Sequence, residues 1–136
     1  MPAPTPQQVL RQVFSAFDQQ DWTIFDSHPG LYETRHHLPH LYAAFPDMHH
    51  TIEVELVEDE MIACVAQVRG THRGPFMGIA PTGKQVSFML LLIDRIVEGH
   101  IVEHRAIPDF LSLFQQLEVT LSFTRATPSP TESHLA

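Results

Sequence analysis

The chain has 136 residues, 43% of them hydrophobic and 18% charged, with a formal net charge of −8 when its ten histidines are neutral. That length and balance describe one globular domain with a real core and exclude a disordered chain. The acidic charge argues against nucleic acid as a partner, and the single cysteine excludes an internal disulfide framework and fits a reducing compartment.

Residues 1–6 form a proline-rich lead-in with neither the basic nor the apolar region of a signal peptide. From Gln7, the residues Val9, Leu10, Val13, Phe14 and Phe17 recur at helical spacing and predict an amphipathic helix to about Gln20. "DSHPG" (Asp26 to Gly30) reads as a turn. A second helix is expected from about Leu31 to Ala44, with Leu31, Leu38, Leu41 and Tyr42 on its apolar side. Pro39 either falls in the first turn of a late start or kinks it. "FPD" closes that helix, with Asp47 in a turn or capping role. The period then becomes two. In "HTIEVEL", His50, Ile52, Val54 and Leu56 alternate with Thr51, Glu53 and Glu55, as in a strand with one wet face.

"VEDE" is a hairpin turn, and "MIACVAQVRGTH" returns from it with Cys64 as a small buried hydrophobe. "KQVSFMLLLIDRI" is expected to be a strand buried on both faces; its apolar core "FMLLLI" is too short to cross a bilayer. "VEGH" turns into a last strand, "IVEHRAI", and "PDFLSLFQQL" reads as a closing helix with Pro108 in its first turn. Residues 1–122 make the domain and 123–136 a disordered polar tail. The element order gives an α+β fold, a curved antiparallel sheet packed on N-terminal helices with a closing C-terminal helix. Such a sheet encloses a mainly apolar pocket. The reading is of a cytoplasmic protein.

"GIAPTGKQ" reproduces the G-x-x-x-x-G-K core of a phosphate-binding loop at Gly78, Gly83 and Lys84. That loop needs a following helix and a Ser or Thr after the lysine. Here Gln85 follows Lys84 and a strand continues, so the match carries no nucleotide site.

"FPDMHHTIE", "GTHRGPFMGIAPTGKQV" and "EGHIVEHRAIPDFLSLFQQL" together resemble the SnoaL-like polyketide cyclase family of the nuclear transport factor 2-like superfamily. The resemblance implies a cone-shaped α+β barrel with a deep apolar cavity, homodimers through the open sheet face, and no metal or organic cofactor. It also implies an intramolecular aldol step on a small apolar carbonyl compound. By position in the family's W-x-x-x-D, the general acid/base is Asp109. Two departures stand out: Arg105 replaces the tryptophan, and "DWTIFDSHPG" occupies less chain than relatives use to roof the cavity.

Asp109 works as a base if an apolar surrounding raises its pKa; Arg105 nearby acts in the opposite sense. Its other reading is complementing the dipole of the closing helix. Arg105 is expected to point inward, sharing parity with Ile107 and Asp109, and His104 outward. His72, Arg105, His49, Phe76 and Trp22 are the candidate substrate contacts. His36 and His40 are four apart but lack a carboxylate in a known zinc pattern, so no metal site is assigned. The alternative is a non-catalytic small-molecule-binding or dimerising module on the same fold. A third reading is an epoxide-hydrolase-like Asp-Arg-Asp site, which lacks a carboxylate at Ala106. The expected partners are a small apolar molecule and a second copy of the chain, with no nucleic acid and no membrane.

Overall fold

Thr5 starts the first helix, α1 (Pro6–Asp18), through a reciprocal capping box with Gln8, and Pro6 supplies a preset first turn. Val9, Leu10, Val13, Phe14 and Phe17 form its buried stripe, as their spacing predicts. The turn expected at Asp26–Gly30 is part of a longer ordered stretch, "DWTIFDSHPG". This stretch winds into two 3-10 turns, Trp22–Ser27 and Pro29–Leu31, the first capped by Asp21. Helix α2 (Tyr32–Ala44) carries Pro39 inside one continuous element. These features come from a computed structural model that describes residues 2–127. Of the expected polar tail, residues 128–136 lie outside the described residues, and residues 123–127 carry no regular structure.

Four strands follow in sequence order: β1 (His49–Glu58), β2 (Met61–Thr71), β3 (Gln85–Val97) and β4 (His100–Pro108). They pair antiparallel as β1-β2-β3-β4. Two-residue turns join β1 to β2 and β3 to β4, with Asp59, Glu98 and Gly99 all at positive φ. Helix α3 (Phe110–Gln116) then folds against β3. Pro108 ends β4 rather than opening this helix, and Asp109 is its N-cap.

One face of the sheet meets the helices and the other does not. Ile62, Cys64, Ala66 and Val68 of β2 and Val86, Phe88, Leu92 and Ile96 of β3 are buried, joined by Phe45, Met48 and the α1 stripe. The expectation that β3 is buried on both faces is corrected. Met89, Leu91 and Ile93 alternate with the buried residues and are 46–47% exposed, because helices cover one side only. Asp47 takes its bland role: its carboxylate accepts from the Thr71 backbone N–H and hydroxyl, each at 2.7 Å, tying the α2–β1 turn to the end of β2.

Both outer strand pairs carry a bulge, and each reverses which side chains face the core. On β1 the register slips between Ile52 and Val54. His50 and Ile52 face inward, whereas Val54 and Leu56 turn out (50% and 69% exposed) and Glu55 turns in opposite Cys64. On β4 the slip falls between the Arg95–Glu103 and Ile96–Ile101 pairs. Ile101 is fully buried, and two residues beyond the slip it is His104, not Arg105, that shares its face.

Candidate active site

The β3–β4 register sets a row of inward pairs: Asp94 opposite His104, Leu92 opposite Ala106, and Leu90 opposite Pro108. Ile62 of β2 extends the first pair across the sheet. Asp94 is 1% exposed, and its Oδ1 lies 2.5 Å from Nδ1 of His104, whose side chain is 17% exposed. A carboxylate only accepts, so Nδ1 carries the proton and Nε2 is the nitrogen left to a ligand. The second carboxylate oxygen, Oδ2, is buried without a partner among the described residues. Ala106 is exposed and Leu90 and Pro108 half-buried, so the inner side of β4 beyond His104 is open. The arrangement is a carboxylate-oriented imidazole at one end of an apolar strip about 13 Å long, two strand repeats.

The 3-10 turn Pro29–Leu31 roofs the other end of β4. His28, just before it, is buried and accepts the Ile101 N–H at Nδ1 (3.0 Å). Burial, with the neighbouring His100 adding to it, holds the His28 imidazole below its ordinary pKa, against the pull of Asp94. Gly30 permits this roof, since a Cβ there would stand 2.6 Å from the Val102 carbonyl carbon.

A second carboxylate–imidazole pair lies across the fold. Asp18 at the end of α1 accepts from Nδ1 of His50 (2.8 Å), the His50 backbone N–H (3.1 Å) and the Tyr42 hydroxyl (2.7 Å). Burial pushes the Asp18 carboxyl up, but these hydrogen bonds together outweigh it and hold it below the usual range. Burial and Asp18 raise the Tyr42 phenol far above its ordinary value.

The residues named from sequence scatter. His72 is fully buried: Nδ1 accepts from the Thr82 N–H and hydroxyl, so it orders the loop 72–84, and its Nε2 has no partner among the described residues. Its ring stacks on Phe45 at 5.3 Å, and Phe45 in turn meets Phe76 at 5.4 Å, so Phe45 links the two candidate contacts. Trp22 packs edge-on to Tyr42, beside the second pair. His49 is exposed on β1. Asp109 is exposed, and its Oδ1 accepts the Ser112 N–H at 3.1 Å, the helix-end role. Arg105 requires a correction. It pairs with Ile93 on the outer face, because the β4 bulge shifts the alternation by one residue. The Asp-Arg-Asp arrangement of the third reading is therefore not assembled by Arg105 and Asp109.

Sequence reasoning missed Asp94, His104, His28, Asp18 and His50 as a group. Asp94 had a signal: an acid standing in step with Phe88, Leu90 and Leu92 within an apolar strand demands a partner on its own face. Asp18 closes the apolar stripe of α1 one turn after Phe14, which was a weaker signal.

With this geometry in view, comparison with known proteins is informative. A model of the SnoaL-like polyketide cyclase family matches residues 7–117. The aklanonic acid methyl ester cyclase DnrD of Streptomyces peucetius is 33% identical over 75 residues, 54% of this chain and 52% of that one. DauD of Streptomyces sp. strain C5, of the same description, is 32% identical over 75 residues, 54% of this chain and 47% of its own. The chain thus spans about half the length of these curated relatives. Among solved structures, AclR from Streptomyces galilaeus superposes with a TM-score of 0.75 at 25% identity, covering 82% of this chain and 94% of its own. IdmH from Streptomyces antibioticus gives 0.73 at 25% identity, covering 85% and 100%.

Proposed function

The chain belongs to the SnoaL-like polyketide cyclase family, and from that premise we propose that it closes a ring in a small apolar carbonyl compound by cofactor-independent acid–base chemistry on the inner face of β3 and β4. The observation that carries the reading is the 2.5 Å contact between buried Asp94 and partly exposed His104. Nε2 of His104 takes a proton from the carbon beside one carbonyl. The enolate attacks a second carbonyl of the same molecule, forming the carbon–carbon bond. The imidazolium returns the proton to the new alkoxide, so the protein ends as it began. Asp94 is a positioning residue: it fixes the tautomer and stabilises the transient imidazolium. Leu90, Ala106 and Pro108 offer the body of the substrate an apolar bed, with buried Leu92 beneath it.

Aklanonic acid methyl ester, the compound in the relatives' names, is the first substrate to test. The expected result is its consumption by the protein. His104→Gln should lower kcat roughly 100- to 10,000-fold, the range for a general base. Asp94→Asn should lower kcat with little change in KM and alter the pH profile, with Asp94→Glu recovering part of the rate. A His104→Gln variant as active as the parent would end the reading.

A second reading, a non-catalytic small-molecule-binding module, is favoured by one observation. Asp109, the residue that the family likeness nominates, spends its carboxylate on α3, and Arg105, a candidate substrate contact, faces outward, so neither reaches the inner strip. Tight binding of the ester without turnover would select it.

A further inference from the structure

The Asp18–His50 pair borders a groove of its own, between α1 and the edge strand β1, at the opposite edge of the sheet from β4. The groove holds about 530 Å³; Phe14 and Ile52 are its apolar walls, and Ser15, Gln19 and Thr51 its polar rim. The His50 side chain is only 4% exposed. Its ring lies parallel to Phe14, with centroids 4.5 Å apart and planes 10° apart. Phe17 and Tyr42 pack around it at 6.3 and 6.5 Å.

Hydrogen bonding fixes what this imidazole offers. Asp18 is held ionised by His50 and Tyr42 against the effect of burial, so it accepts and Nδ1 of His50 donates. In the neutral imidazole Nε2 is then an acceptor, and it has no hydrogen-bond partner among the described residues. Asp18 engages both oxygens with His50 and Tyr42, and Arg11 is paired with Glu55 at 2.6 Å. An anionic ligand would meet the Asp18 carboxylate and find no free cation among the described residues of the groove. What fits is a neutral molecule with a planar apolar body and one hydrogen-bond donor.

We propose that the groove is a second small-molecule site, independent of the β3–β4 pair, which takes a neutral hydroxylated aromatic. The O–H of such a phenol donates to Nε2 of His50, and its ring lies against Phe14 and Ile52. No bond is made or broken; the site binds.

The test compares 4-methylphenol with 1,4-dimethylbenzene, nearly the same shape without the O–H, on the full chain. The expected result is saturable binding of the phenol, about tenfold or more tighter than the hydrocarbon, the scale of one buried hydrogen bond. In 15N-labelled protein the phenol should move the imidazole signals of His50 and leave those of His104 in place. The single tryptophan, Trp22, lies edge-on to Tyr42 at 5.4 Å and gives an independent fluorescence readout. His50→Phe should remove the preference for the phenol. If that variant misfolds, Ser15→Trp, at an exposed rim position of α1, should block the groove instead. His104→Gln should bind as the parent does, which separates this site from the one above. Equal affinity for the two compounds, or phenol-induced shifts at His104 and not at His50, would overturn the proposal.

Discussion

Three side chains show how burial decides what a residue can do here. Cys64 sits at the centre of the inner face; burial first, then Glu55 and Asp94, push its thiol up to about 11. It should therefore resist iodoacetamide in the native protein near neutral pH and react promptly in denaturant. His28 works in the other direction. Its pKa is lower folded than unfolded, so the unfolded chain binds more protons as pH drops below about 6.5. Stability contributed by neutral His28 is present above that pH and is lost as pH falls toward the folded value. His28→Asn keeps an acceptor for the Ile101 N–H without a titrating group. Its melting temperature should change less than the parent's between pH 7 and 5. Asp109 is a helix cap. Asp109→Ala should cost about 0.5–2 kcal/mol in denaturant unfolding while leaving any turnover of the ester intact. A loss of turnover exceeding the loss of folded protein would return Asp109 to the chemistry.

At the scale of elements, alternation and helical spacing were legible and bulges were not. The stripe on α1, the four antiparallel strands and the closing helix all lie where periodicity puts them, because burying one face leaves an unambiguous period. The errors cluster at two single-residue slips. "IVEHRAIPD" read as a regular strand sends Arg105, Ile107 and Asp109 to the same side as Ile101. The slip beside Val102 reverses that and brings His104 to Asp94. No composition signal marks the slip, since Val102 is as good a strand residue as its neighbours. The parity of β4, and with it the side on which Arg105 and His104 lie, was therefore read one residue out of phase. Gly30 belongs to the same corner. A Cβ there would also lie 2.7 Å from the Glu103 nitrogen, and backbone cannot step aside as a side chain would. Gly30→Ala should lower stability by about 1–3 kcal/mol, the usual cost of overpacking. It should also disturb the amide signals of Ile101, Val102 and His104 in NMR spectra ahead of those of β1.

At the scale of the whole molecule the outer sheet face is the surface from which an assembly is expected. One row across the four strands reads Val54, Val65, Leu91, Ile107, and the next reads Leu56, Ala63, Ile93, Arg105. Of these, Val54, Leu56, Leu91, Ile93 and Ile107 are 46–72% exposed. Contiguous apolar surface of this kind on a folded domain marks an interaction site. The helices are already committed to the opposite face, so a second sheet of the same kind is the natural cover. We expect a two-fold dimer with the outer faces packed together, which places Arg105 within the covered row and explains an arginine among aliphatic neighbours as a rim contact. Light scattering should give twice the 15.4 kDa chain mass. Leu91→Glu with Ile107→Glu buries like charges opposite each other in such a dimer and should give the single-chain mass with an unchanged far-ultraviolet dichroism spectrum. A parent protein that is already monomeric at high micromolar concentration would refute this assembly. The proposed inner-face chemistry would stand untouched, because Asp94 and His104 lie on the other face of the sheet.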